Sequence, residues 1–232
     1  MRRLLSIPLL FLLALSAGAQ VVDRVAATVN GRAILVSEVD DAARFSALLQ
    51  GRAVQTLAEA DRAAALDRLV DQELIRQRIS SAGLLPASDQ EVATQIGDLR
   101  RQLAGGKDDA GWRVLLLQYG LSEADFAAHL RNQLEQLHFI EMRFRPSAHV
   151  SAAEVETYYG EQYVAKMRAA GASEKPLDQV RAQIEETLAQ QQVERLLDSW
   201  LQALRSEASI RVLVRFGDAQ RKAAAAREGS PH

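Results

Sequence analysis

VVDRVAATVNGRAILVSEVD, residues 21–40, is the stretch from which the rest of the chain is read. Val25, Ala27 and Val29 alternate with Ala26 and Thr28, and Asn30-Gly31 follows them. A type I′ turn needs positive φ at both central residues, and Asn-Gly supplies it. Residues 32–36 then read as the return strand. Ser37 stands where an N-cap is wanted, with Asp40 three residues on as its capping-box partner, so a helix is expected to begin there. A hairpin alone is marginal in water and needs completing. Near the far end, Ile210, Val212, Val214 and Phe216 alternate with Arg211, Leu213 and Arg215, the period of a half-buried strand. Pairing this segment with the hairpin would join the two ends of the chain in one sheet and close everything between them into one domain.

Upstream of the hairpin, Arg2 and Arg3 precede an apolar run over residues 4–15 and a small-residue site at Ala17-Gly18-Ala19. This pattern predicts a secretory signal peptide over residues 1–19, cut before Gln20, because the run is shorter than the ~20 apolar residues a membrane span needs. Without Arg2 and Arg3 the formal net charge moves from −2 to −4. A mildly acidic chain is a poor match for nucleic acid. The 232 residues include no cysteine, so a disulfide staple, thiol chemistry and a lipid anchor on cysteine are all excluded, and stability must come from packing. Export implies an envelope or extracellular location.

The body reads as helix with clear punctuation. A first helix is expected over residues 37–49 and a loop over 51–61. Leu66, Leu69, Val70, Leu74, Ile75 and Ile79 then recur at helical spacing until Gly83, with Pro86 beyond as a stop. Ser88 and Glu91 form a capping box for a helix that breaks at Gly105-Gly106. Trp112, Leu115, Leu116 and Tyr119 make a short helix closed by Gly120. Ser122 with Asp125 opens another that carries Phe126, Leu130, Leu134, Leu137 and Ile140 up to Pro146. Ser151 with Glu154 caps one more, carrying Val155, Tyr158, Tyr159 and Tyr163. After Pro176 comes the longest helix, with apolar positions from Leu177 through Val180, Ile184, Val193 and Trp200 to Leu204. Residues 217–232 read as a frayed or disordered tail.

Taken in order, the segments VDRVAATVNGRAILVSEVD, ALDRLVDQELIRQRISSAGLLPASDQEV, LLLQYGLSEADFAAHLRNQLEQLHFIEMRFRP and VSAAEVETYYGEQY resemble the SurA-like periplasmic chaperone family. The resemblance implies a mainly α fold: a multi-helix, SurA/trigger-factor-like chaperone core with a small antiparallel sheet made by an amino-terminal hairpin and a carboxy-terminal strand. It assigns residues 20–163 to the amino-terminal core and residues 177–216 to a long helix and strand that complete it. Relatives usually insert one or two parvulin prolyl-isomerase domains between these parts. Here residues 164–176 are a short connector, VAKMRAAGASEK before Pro176, where an independent domain would need about 50 residues or more. The chain is therefore expected to lack isomerase catalysis.

The residues offer no other chemistry. His129, His138, His149 and His232 have no zinc-pair spacing, and no H-E-x-x-H, G-x-S-x-G, Walker loop or G-x-G-x-x-G occurs. Gly105-Gly106-Lys107 reads as a helix break. Asp108-Asp109 and Glu185-Glu186 read as ordinary helix-start and solvent-face charges. No cofactor, metal or ATP is expected. Binding remains, and the candidate peptide-binding residues are Tyr119, Phe126, Phe139, Met142, Phe144, Tyr158, Tyr159 and Met167, aromatic and Met side chains near helix ends and the Pro146 junction. The leading expectation is an ATP-independent holdase for unfolded outer-membrane or envelope polypeptides, without stable membrane insertion. A prolyl isomerase with a cryptic site, or an adaptor for one envelope partner, stands beside it.

Overall fold

In the computed structural model the described residues are 23–83, 86–103 and 108–217. The leader expected over residues 1–19, the helix break at Gly105-Gly106 and the tail after Gly217 lie outside them.

β1 (Val25–Val29) and β2 (Arg32–Leu35) form the expected hairpin, with Asn30 at φ +50° and Gly31 at φ +88°. Val29 opposes Arg32, Thr28 opposes Ala33 and Ala27 opposes Ile34, while a bulge brings Val25 opposite Leu35. β3 (Ile210–Val212) pairs antiparallel with β1 through Ala27–Val212, Thr28–Arg211 and Val29–Ile210. The strand order is β2-β1-β3, so the two ends of the described chain meet in one sheet. The expected strand over residues 210–216 is shorter than its alternation suggested. The bulge at Ala26 lets its one carbonyl accept from both Leu213 N–H (2.8 Å) and Val214 N–H (3.0 Å), which ends the regular ladder.

β2 runs straight into α1 (Val36–Leu49). The cap lies earlier than Ser37: Leu35 is the extended flanking residue, and its N–H donates to Glu38 Oε2 at 2.7 Å. Ser37 Oγ instead donates to the Asp23 carboxylate, and Asp40 accepts from Arg62 Nε at 2.6 Å. A 3₁₀ turn (Val54–Thr56) leads to α2 (Glu59–Ala82), which ends at Gly83 in the left-handed region, φ +66°. α3 (Asp89–Leu103) has half of its expected box: Ser88 Oγ accepts from Glu91 N–H at 3.2 Å, but the Glu91 carboxylate lies 2.6 Å from His138 Nε2.

Asp108 caps α4 (Asp109–Gln118) by accepting from Gly111 N–H at 2.9 Å. α5 (Glu123–Phe144) opens with the Ser122–Asp125 box and is followed by a 3₁₀ turn (Arg145–Ser147). α6 (Ala152–Tyr158) opens with the Ser151–Glu154 box and passes through a π-helical turn (Tyr159–Tyr163) into α7 (Val164–Ala169). α8 (Leu177–Glu207) has 31 residues, about 46 Å at 1.5 Å per residue.

That length lets α8 tie separate apolar clusters together. The first holds Ala26, Ala27, Val29 and Ile34 of the sheet against Val39 and Ala43 of α1, Leu66, Val70 and Leu74 of α2, and Leu204 of α8. The second holds Phe45 and Leu48 of α1, Val92 of α3, Trp112 and Leu116 of α4, and Phe126 and Leu130 of α5. The third joins Val155 of α6 to Val180 and Ile184 near the start of α8. α1 serves the first two clusters from different turns, and α8 serves the first and third from its opposite ends.

Candidate polypeptide-binding groove

Trp200 sits one turn before Leu204, so it lies at the rim of the first cluster and not inside it. Two aromatic side chains of α5 reach it. The Phe139 ring is 5.6 Å from the Trp200 ring and tilted by 38°, and the Phe144 ring is 5.5 Å away at 65°. Tilted and edge-on approaches suit the quadrupoles of aromatic faces. The Arg143 guanidinium lies over both, 5.5 Å from the Phe144 centroid and 5.8 Å from that of Trp200. The Phe139 and Trp200 rings, with Arg143, form the floor of an open groove of about 320 Å³ between α2, α5 and α8, walled by Arg78, Ser81, Ala203, Leu204 and Glu207. A neighbouring hollow of about 290 Å³ shares Arg78, Ser81, Leu204 and Glu207 and runs on to Asn30 at the hairpin tip.

The groove has an apolar floor and a charged rim. Arg78 and Glu207 face each other across it at 3.8 Å, both well exposed, and water screens such a pair enough for either partner to exchange for a ligand group. A ligand side chain could stack on indole and phenyl while its backbone carbonyls or carboxylates meet Arg78 and Arg143.

The expected binding residues fall in three places. Of Phe139, Met142 and Phe144 on α5, only Phe139 lines the groove, and it is buried; Phe144 is buried against Trp200, and Met142 is 53 % exposed and not among the groove's lining residues. Phe126 is a correction to the surface reading: it is fully buried, 5.3 Å from the Phe45 ring and 5.2 Å edge-on to Trp112, because α1, α4 and α5 converge on it. Tyr119 packs on the same cluster and its hydroxyl donates to the Arg52 carbonyl at 2.8 Å. Tyr158 and Tyr159 pack on the third cluster. Tyr159 stacks on Tyr163 at 5.4 Å and donates to the Lys175 carbonyl at 2.9 Å. Met167 is half-buried on α7, remote in sequence from the groove. Sequence reasoning missed Trp200 as a groove-lining residue, counting it only among the apolar positions of α8, and missed Arg78 and Arg143 altogether.

The titratable groups are built for structure. His129 lies against the Phe45 ring at 4.9 Å, and burial holds it below its ordinary value of 6.5 despite Asp41 and Asp125 nearby. Glu73 is the one buried charged residue among those described, 7 % exposed. Burial pushes its pKa up, but hydrogen bonds from Arg76 (2.6 and 2.7 Å) and Gln77 (2.8 Å) more than offset this and leave it below 4.5. Among the described residues no group of three His, Cys, Asp or Glu side chains could hold a metal ion.

A family model described as the SurA-like N-terminal domain matches residues 4–139, more than half of the chain. The chain belongs to the SurA-like N-terminal domain family. The SurA-like match ends at Phe139, so Arg143, Trp200 and β3 lie beyond it. A comparison with curated proteins gave no match. SurA-like proteins are a periplasmic, chaperone-type family, and among the described residues no helix is long and apolar enough to cross a membrane.

Proposed function

We propose that this SurA-like protein is an ATP-independent periplasmic holdase that shields unfolded outer-membrane or envelope polypeptides. The observation that carries the reading is the open groove floored by Trp200 and Phe139 and rimmed by Arg78 and Arg143. An unfolded barrel strand alternates apolar or aromatic residues with polar ones, and a floor that takes one side chain under a rim that meets the backbone suits such a ligand. Each contact is small and partly wet, so binding is reversible without a nucleotide cycle. The reading includes no prolyl isomerisation: α7 and the turn after it span only residues 164–176, where relatives place the isomerase domain.

The test is light scattering of a urea-denatured β-barrel membrane protein diluted into buffer with and without the purified protein. Suppression at modest molar excess is expected, weakened by Trp200→Ala and by the exposed-site change Arg143→Glu. No suppression at any excess ends the proposal. Acceleration of a proline-peptide isomerisation, uncatalysed over tens to hundreds of seconds, would move the reading to an enzyme.

A further inference from the structure

Both outer edges of the three-stranded sheet end in unpaired backbone, but they are treated differently. On β2 the outward N–H of Leu35 is taken by Glu38, and Arg32, Glu73, Arg76 and Glu135 crowd the hollow beside that edge. Charge at an edge deters a further strand.

The β3 edge carries charge of one sign on its own strand, Arg211 and Arg215, beside an Arg205–Asp67 pair that is already matched, so it deters a basic strand and not an acidic one. In the hairpin, Val29 and Arg32 flank the two-residue turn and bond to each other, which turns the Thr28 N–H and C=O towards β3. Arg211, directly opposite Thr28, therefore points its own N–H and C=O inward. The Asn30 N–H to Ser209 carbonyl bond (2.9 Å) and the Leu213 N–H to Ala26 carbonyl bond (2.8 Å) have the same parity. Ile210 and Val212 consequently direct their N–H and C=O groups away from the sheet. Val212 is 50 % exposed and Leu213 60 % exposed. Beside this edge runs a groove of about 350 Å³, lined by Leu66 and Val70 of α2 and by Ile210, Val212, Val214 and Phe216, with Asp67, Arg205 and Arg215 charged at its walls.

We propose that the outer edge of β3 is a main-chain docking site for an extended polypeptide segment whose apolar residues alternate with acidic ones. The inference rests on the holdase reading and adds a second mode of capture, strand addition, to the side-chain groove. Donors and acceptors at Ile210 and Val212 have the two-residue spacing of a strand edge. Apolar side chains of alternate ligand residues would enter the groove over Leu66 and Val70. Arg211, exposed between the two groove-lining positions, and Arg215, exposed at the groove wall, set the preference for acidic neighbours. The same charges disfavour the other occupants. A second copy would bring two further arginines to the seam, and the residues after Gly217 carry Arg221, Lys222 and Arg227 against Asp218 and Glu228.

The test is fluorescence anisotropy of a labelled synthetic peptide alternating Val with Glu, titrated with the purified full-length protein, together with hydrogen exchange at the 210 and 212 amides. Saturable binding that slows exchange at both amides is expected. N-methylation of the peptide at residues of one parity should abolish binding, and at the other parity leave it intact. Val212→Pro removes only an outward donor, so melting should hold while affinity falls at least about tenfold. Equal loss from both methylation parities would overturn the proposal, as would a dimer that Val212→Pro dissolves. If the protein protects the barrel client but ignores the peptide, this inference falls and the holdase reading stands; if it does neither, both fall.

Discussion

Asn30 performs three tasks at the hairpin tip. It adopts φ +50°, its Oδ1 accepts from Ser209 N–H at 2.9 Å, and its Nδ2 donates to Gln77 Oε1 at 2.8 Å. These tasks separate by substitution. Asn30→Gly keeps the turn and loses the side-chain bonds, at about 1 kcal/mol. Asn30→Ala adds the left-handed strain, at about 1 kcal/mol more. Urea unfolding of the two variants measures both steps. Glu73 continues the same chain of contacts through Gln77 to Arg76, and its linkage has a definite sign. Its folded pKa is lowered, so its contribution is present above its unfolded value of 4.5 and is lost as pH falls through the folded value. Glu73→Gln is therefore expected to lower stability at pH 7, with the gap to wild type narrowing below pH 4.5. His129 is also depressed, so it favours the folded state above 6.5 and that advantage fades as pH falls below 6.5. His129→Phe should flatten the pH dependence between neutral and mildly acid solution in thermal melts.

At the level of helices and strands, caps carry most of what the sequence disclosed. Ser122 and Ser151 accept from the N–H three residues on and their partner carboxylates return the bond, so Ser122→Ala and Ser151→Ala should each cost about 1 kcal/mol in chemical denaturation. Ser37→Ala should not behave as a cap deletion; Glu38→Ala should, because Glu38 is the residue that satisfies Leu35 N–H. A capping box is a local pattern and the letters Ser-x-x-Asp at residues 37–40 fit it, yet β2 enters α1 without a spacer, which moves the start to Val36. The hairpin, the β1–β3 pairing and the end of α2 at Gly83 were legible because turn chemistry and period are written in consecutive residues. The length of β3 was not, since it depends on a bulge at Ala26 some 180 residues away. The groove was legible only in part: Phe139 stood among the expected aromatic residues of α5, but it meets Trp200 and Arg78 only because α2, α5 and α8 cross, and no local pattern encodes a crossing.

For the whole molecule, shared helices predict shared unfolding. Val39 and Ala43 of α1 serve one cluster while Phe45 and Leu48 serve the next, and Arg205 of α8 fixes α2 through Asp71 at 2.6 Å and Asp67 at 2.9 Å. The two tryptophans report separate regions, Trp112 in the second cluster and Trp200 beside the first. Single-tryptophan variants are expected to give coincident denaturation midpoints. Gln190→Pro, at an exposed mid-helix site of α8, should separate the third cluster from the rest, seen as an early loss of tyrosine signal ahead of both tryptophans.

The bond between Ser209 and Asn30 spans 179 positions. Ribosomes add about 5–20 residues each second, so the hairpin is made roughly 10–35 s before the strand that flanks its central member exists. Helical segments can form meanwhile from nearby contacts, whereas β1 has a vacant side until the last part of the chain is delivered. Closure of this sheet is thus gated by the segment that follows Ser209, and a translation product interrupted before it would carry an open, sticky strand of the same kind it is proposed to shelter in others.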